Sequence, residues 1–314
     1  MTGRYALVFP GQGAQRVGMG RELCDAFEAA RTTFSEADAA LDAPLSRIVF
    51  EGPQETLTLT ANAQPSIVTV SVAALRALAA RVALEPAFVA GHSLGEYSAL
   101  VASGAMSFAD AVRTTRARGT FMQEAVPAGL GAMAAVMRRS DAEVASACEQ
   151  AAQGEVVSPA NFNSPDQIVI SGHAGAVARA SALLKESGGR IVPLKVSAPF
   201  HCALMLQAAA KLETFLEAVR FGAMIVPVVS NVEAAPNADA SRISSLLVAQ
   251  VTSPVRWTDS VRTMISRGVR TFVELGPGNV LGGLIAKIDA ETEVLSAGDP
   301  AGIEAAAAVL ARLG

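Results

Sequence analysis

The sequence predicts an α/β protein, with a mainly parallel sheet in one large domain and a small β-α-β-β-α-β unit inserted into it. Three observations lead there. A short apolar strand at 88–90 runs into Gly91-His92-Ser93-Leu94-Gly95 and then into a helix at 94–102, the strand–turn–helix order of parallel sheets. Between 131 and 195 the order is strand, helix, strand, strand, helix, strand, the ferredoxin-like split βαβ pattern. After Pro199 helices and strands resume, so the small unit interrupts the large one. The expected division is 1–126 with 198–314 for the large domain and 127–197 for the small one.

Each element has its own signal. Tyr5-Ala6-Leu7-Val8-Phe9 is an unbroken apolar run ended by Pro10-Gly11-Gln12-Gly13, which reads as a buried strand and a turn. Helical spacing follows at 19–35 and 63–82. In the small unit, strands are expected at 131–137, 155–161, 167–172 and 190–195, with helices at 141–152 and 175–187. Beyond Pro199 come a helix at 202–219, a strand near 227–230 and helices at 241–251 and 257–267. A strand at 271–275 is ended by Gly276-Pro277-Gly278, and an alanine-rich helix at 304–313 closes the chain.

Composition narrows the function. A chain of 314 residues can bury one large core or two modest ones. Only 17% of residues are charged and the net charge is −4, which does not suit a protein built to grip nucleic acid. The apolar stretch 67–90 carries Arg76, Arg81 and Glu85, so no membrane span is expected. The first strand starts almost at once, without an apolar leader core. Cys24, Cys148 and Cys202 are too widely spaced for a disulfide framework or a metal site. The expectation is a reduced, cytoplasmic protein that binds no metal. Cys202 adjoins His201 and could be a thiol nucleophile, but a small buried hydrophobe is the favoured reading.

The chemistry centres on Ser93. Flanking glycines let the backbone turn sharply, so the serine projects from the strand end and makes the large domain α/β-hydrolase-like. The N–H of Leu94 then lies at a helix N-terminus, where it can donate to a developing oxyanion. The competing reading is a serine that only caps the helix. A serine nucleophile needs a base, and there are three histidines. His92 should point to the other side of the turn and support it. His173, in Ser171-Gly172-His173-Ala174, ends a strand of the small unit and suits a loop or packing role. His201 follows Ser197-Ala198-Pro199-Phe200, where the chain re-enters the large domain, and is the best candidate.

The next helix supplies a cation. Ser107-Phe108-Ala109-Asp110 resembles a capping box with Asp in place of Glu, and the helix should reach about 125. At 100° per residue Phe108, Ala111, Thr115, Gly119 and Met122 share one arc. Arg118 points into that arc, Arg113 points away and Arg116 sits at its border. A buried arginine needs an anion. That anion is either a structural Asp or Glu or the carboxylate of a substrate held bidentately.

These residues resemble the malonyl-CoA:acyl carrier protein transacylases of bacterial type II fatty acid synthesis, and more distantly the acyltransferase domains of polyketide synthases. The resemblance runs through Phe9-Pro-Gly-Gln-Gly-Ala-Gln15, Gly91-His-Ser-Leu-Gly-Glu-Tyr97 and Arg118-Gly-Thr-Phe-Met-Gln123. It continues through Asn161-Phe-Asn-Ser-Pro165, Ala198-Pro-Phe-His201, Ser230-Asn-Val232, Gln250 and Glu274-Leu-Gly-Pro-Gly278. It implies that Ser93 attacks malonyl-CoA while His201 takes its proton, and that the backbone amides of Gln12 and Leu94 form the oxyanion hole. It implies that Arg118 holds the malonyl carboxylate. The acceptor that orients His201 would be near Gln250, as its main-chain carbonyl. His92, Asn161, Asn163, Phe200 and Asn231 would support the site. Phe200 before the histidine goes with malonyl in related synthase domains, where bulk leaves less room for a methyl branch worth ~1–3 kcal/mol.

The family pattern further implies a monomer with no bound cofactor, whose partner is an acyl carrier protein bearing phosphopantetheine. Carrier proteins are typically acidic, so a basic patch near the cleft is expected, with Arg190, Lys195 and Lys287 as candidates. The rival readings are a serine hydrolase or thioesterase, a non-catalytic carrier-binding subunit, and an acyltransferase serving a polyketide synthase. A buried Arg118 argues against the first, since an esterase for neutral acyl groups gains nothing from it. Joint retention of Ser93, His201, Arg118 and Gln12 argues against the second.

Overall fold

A computed structural model describes residues 4–127, 129–194, 196 and 198–313. The chain opens with strand β1 (Arg4–Phe9), then α1 (Arg21–Ala26), α2 (Glu28–Leu41), α3 (Leu45–Glu51), α4 (Gln54–Thr58) and α5 (Thr60–Ala79). Strand β2 (Phe88–Gly91) is followed by α6 (Gly95–Ala102) and α7 (Phe108–Glu124). The middle holds β3 (Gly131–Met137), α8 (Asp141–Ala152), β4 (Val157–Ser164), β5 (Gln167–His173), α9 (Ala174–Glu186) and β6 (Arg190–Pro193). The rest comprises α10 (Leu206–Leu216), β7 (Val228–Val229), β8 (Pro236–Asn237), α11 (Ile243–Thr252), α12 (Trp257–Ser266), β9 (Val269–Glu274), α13 (Val280–Ile288), β10 (Glu293–Ser296) and α14 (Pro300–Leu313).

Two sheets result. Six strands in the order β10-β9-β1-β2-β7-β8 form a sheet that is parallel except for the β7–β8 pair. The separate four-stranded sheet, β4-β5-β3-β6, is antiparallel throughout. Strand β1 shows why the large sheet is covered on both faces. Tyr5, Leu7 and Phe9 enter one hydrophobic cluster with α5, while Ala6 and Val8 enter another with Trp257 and Phe272. Helix α5 is buried nearly all round and forms the spine of the first cluster. The small sheet does the same on a smaller scale. Ala134, Val136, Ile168 and Ile170 pack under α8 and α9, whereas Met133, Ala135 and Val169 face the main core.

Several boundaries differ from the sequence expectation. The single helix expected at 19–35 is two helices, because Phe27 adopts an extended conformation (φ −126°, ψ 125°) that buries its ring. The small unit's second strand is expected at 155–161 and runs from Val157 to Ser164. Helices α3, α4 and α13 and strands β8 and β10 carried no sequence signal strong enough to be expected. Helix α13 contains Gly282 and Gly283, which weaken helix propensity. Its first turn is held from outside, by the buried Glu274 carboxylate accepting from the N–H groups of Leu281 (3.0 Å) and Gly282 (2.8 Å). No described helix is long and apolar enough to cross a membrane.

Candidate active site

Ser93 stands between β2 and α6 in a left-handed conformation (φ 51°), which a non-glycine residue adopts only where its surroundings enforce it. The two glycines make the turn possible. A Cβ on Gly91 would lie 1.9 Å from the carbonyl carbon of Gly95, and one on Gly95 would lie 2.2 Å from the carbonyl oxygen of Phe9. Asn231, on the loop after β7, pins the turn from both sides. Its Oδ1 accepts from Ser93 N–H and its Nδ2 donates to Gly91 O, each at 2.6 Å.

His201 comes to Ser93 across 108 residues of sequence: Ser93 Oγ and His201 Nε2 are 2.8 Å apart. The imidazole's Nδ1 donates to the main-chain oxygen of Gln250 at 2.8 Å, which leaves Nε2 to accept the serine proton. His201 itself has φ 59° and is buried. Burial, then the charge of Arg118, push its pKa down to about 3, so the ring is neutral near pH 7. A hydroxyl hydrogen-bonded to a neutral, oriented imidazole is the arrangement of an activated nucleophile with its base.

Arg118 lies on the buried face of α7 with 1% of its surface exposed. It donates to three neutral oxygens: Gln64 Oε1 (2.8 Å), Gln250 Oε1 (2.9 Å) and Ser93 Oγ (3.1 Å). Its guanidinium carbon sits 5.6 Å from the centroid of the Tyr97 ring. None of the ion pairs among the described residues includes it. The structural ion pair entertained from sequence is therefore absent among those residues. The nearby carboxylate, Glu96, acts through Gln250, whose Nε2 donates to Glu96 Oε2 at 2.8 Å. As expected, Arg113 points outward to Asp110, while Arg116 at the arc's border bonds Asn62. Ser107 caps α7 by accepting from Asp110 N–H, but the Asp110 carboxylate meets the serine hydroxyl instead of closing the box.

A cavity of about 870 Å³ opens over these groups, lined by Ser93, His201, Arg118, Gln12, Leu94 and Gln64 among others. Asn161, Phe200 and His92 line it too. Among the described residues no acceptor takes the backbone N–H of Gln12 or of Leu94, both at the cavity wall. His92 turns away from Ser93, and its Nε2 donates to Asn163 Oδ1 at 2.8 Å, so the pair braces the elbow against the small sheet. Asn161 forms a backbone bridge with Val255. The structure thus brings together Ser93, His201, Arg118, Gln12, Leu94, Gln250, His92, Asn161 and Phe200, with Asn163 and Asn231 one layer behind.

Other candidates are placed elsewhere. His173 accepts Val156 N–H through Nδ1, a turn-holding bond. Cys202 is buried, its thiol pushed up by that burial and donated to Pro199 O. Lys287 is 3.5 Å from Asp166, and Arg190 lies at the exposed start of β6. Lys195 lies outside the described residues. Sequence reasoning missed Glu96 and Gln64. Glu96 stood in plain view in the serine motif, and its interior position in α6 was the available signal; nothing in the sequence marks Gln64. Among the described residues no cluster of His, Cys, Asp and Glu could hold a metal ion.

Comparison with known proteins identifies the family. The family model described as acyl transferase domain matches residues 6–293. The chain is 48% identical over 304 residues to the malonyl CoA-acyl carrier protein transacylase of Escherichia coli (strain K12), covering 96% of this chain and 98% of that protein. The structure of the malonyl CoA-acyl carrier protein transacylase from Coxiella burnetii superposes with a TM-score of 0.97 at 42% identity, over 99% of this chain and 98% of that one. A malonyl-transacylase solved with its type II polyketide synthase acyl-carrier protein superposes with a TM-score of 0.95 at 43% identity, over 98% and 99%. With its serine, histidine and buried arginine converging in one cavity, the chain belongs to the malonyl CoA-acyl carrier protein transacylases, within the acyltransferases.

Proposed function

We propose that this enzyme moves a malonyl group from malonyl-CoA to the phosphopantetheine thiol of an acyl carrier protein, through a malonyl-serine at Ser93. The observation that carries the reading is the guanidinium of Arg118, 3.1 Å from Ser93 Oγ and without a counter-ion in contact. A carboxylate two carbons from the reacting carbonyl suits that spacing. His201 takes the serine proton as Oγ attacks the thioester, and the backbone amides of Gln12 and Leu94 receive the oxyanion. The proton returns to the departing coenzyme A thiolate. In the second half, His201 deprotonates the carrier thiol, which attacks the malonyl-serine, and Ser93 recovers its proton. No bound cofactor is needed.

Residues 1–126 and 198–314 are read as an α/β-hydrolase-like catalytic domain, and 127–197 as a ferredoxin-like subdomain. The sheet order β4-β5-β3-β6 and the helices α8 and α9 on one face support the second assignment. The enzyme is read as a cytoplasmic monomer supplying fatty acid chain elongation. A second reading, service to a type II polyketide synthase, has the same chemistry and is favoured by the relative solved with such a carrier.

The test is incubation with malonyl-CoA alone, intact-mass measurement, then addition of holo carrier proteins of both kinds. A malonyl adduct that is absent in Ser93→Ala and discharges onto a carrier supports the proposal; the carrier preferred distinguishes the two readings. Release of free malonate without a transferable adduct points to a hydrolase.

A further inference from the structure

Among the described residues, Glu96 is the one buried carboxylate beside the site to which the proposed chemistry gives no part. It occupies the first turn of α6, three residues after Ser93, with 3% of its surface exposed. Its Oε2 accepts from Asn231 N–H at 3.0 Å and from Gln250 Nε2 at 2.8 Å. The same Gln250 presents Oε1 to Arg118 at 2.9 Å and its main-chain oxygen to His201 at 2.8 Å. One glutamine thus stands between a buried anion and a buried cation, while its backbone holds the imidazole.

The groups around Glu96 are few. Arg118 faces it from α7 and Tyr97 from its own helix; His201 is reached through Gln250. Strands β1, β2 and β7 and helix α5 also pack on α6, and bring no further charge to bear on Glu96. Arg118 therefore has a counter-charge at one remove while the cavity is empty. A malonyl carboxylate at Arg118 brings in a second anion, with one cation between the two. Paired carboxylates in a low-dielectric site do not both stay ionised. Burial already pushes Glu96 up to about 7, so it is the group that yields. The Ser230 hydroxyl, buried and without a hydrogen-bond partner among the described residues, lines the same small cavity as Glu96.

We propose that Glu96 is a positioning residue for the substrate carboxylate, setting Arg118 through Gln250 in the empty site and taking up a solvent proton when malonyl-CoA binds. No bond of the substrate changes in this step. The proton adds to the Glu96 carboxylate, and neutral Glu96 leaves the guanidinium's charge to the malonyl group. The inference rests on the reading that Arg118 holds that group.

Calorimetric titration of the Ser93→Ala variant tests it, at pH 7.5 in two buffers of different ionisation enthalpy. Malonyl-CoA should bind with net proton uptake and acetyl-CoA, which lacks the carboxylate, with none; the difference removes any contribution from coenzyme A itself. Adding Glu96→Gln, which keeps an oxygen acceptor for Gln250, should abolish the malonyl-specific uptake. Equal uptake for the two thioesters overturns the proposal without any Glu96 variant. Uptake that survives Glu96→Gln overturns it as well. Equal losses of malonyl and acetyl transfer in Arg118→Ala would instead sink the reading of Arg118, so the two failures are distinct.

Discussion

The Nδ1 of His201 donates to the main-chain oxygen of Gln250 at 2.8 Å, and that bond decides which side of the imidazole meets Ser93. A carbonyl takes the place that a carboxylate fills in Ser-His-Asp triads. It fixes the tautomer without placing a negative charge beside the ring. Burial and then the charge of Arg118 hold His201 neutral.

Removing the base should separate proton transfer from binding. His201→Ala is expected to slow acylation of Ser93 by about 10²–10⁴-fold, the usual range for a general base. Rapid-quench measurement of malonyl-enzyme formation checks this. A loss confined to the affinity for malonyl-CoA would contradict the assignment.

Arg118→Ala should cost malonyl transfer more than acetyl transfer. A charged hydrogen-bonding contact contributes about 1.5–3 kcal/mol, so the ratio of kcat/KM for malonyl-CoA over acetyl-CoA should fall by roughly 10–150-fold. Lysine at 118 should restore only part of the ratio, because it lacks the planar fork. Equal losses with both thioesters would remove the carboxylate clamp.

The elbow should tolerate no side chain at its glycines. Gly95→Ala places a Cβ 2.2 Å from Phe9 O, backbone against backbone, with no flexible atom to move aside. Destabilisation of about 3 kcal/mol or more is expected, read by chemical denaturation. A variant with wild-type stability would mean that the turn relaxes easily.

Asn231→Ala leaves Gly91 O and Ser93 N–H without their bridging partner, inside the protein. Each unsatisfied buried group costs about 1–3 kcal/mol. Lower stability and slower acylation should appear together, since the same bonds hold Ser93 in its left-handed conformation. Intact stability with lost activity would place Asn231 in the chemistry instead.

Stability should depend on pH through His201. Its folded pKa, about 3, lies below the unpaired value of 6.5, so the unfolded chain binds the extra proton. The neutral histidine therefore contributes no penalty above pH 6.5, and stability is lost as pH falls from there towards 3. Each pH unit in that window costs up to about 1.4 kcal/mol. The stability difference between wild type and His201→Ala, followed by denaturation from pH 7 to 5, should narrow accordingly; a constant difference would contradict it.

Much of this was legible because local rules carried it. Strand β1, the elbow, the buried face of α7 and the β-α-β-β-α-β order all announce themselves by periodicity, glycine placement or caps within a short window. Helix α13 did not, since two glycines weaken it and a carboxylate from another strand, Glu274, holds its start. The break at Phe27 was hidden for a similar reason, as only the tertiary core explains why that ring turns inward.

The nucleophile's setting and the arc that buries Arg118 are legible in residues close along the chain, and the family pattern in a series of short motifs, each of them local. What those groups do to one another is set by the folded arrangement. It showed that Arg118 has no contacting counter-ion among the described residues, that Gln250 joins His201, Arg118 and Glu96, and that Asn231 locks the elbow. His201, Asn231 and Gln250 lie more than a hundred residues from Ser93, and hydrogen bonds of about 3 Å have no signature in a linear pattern.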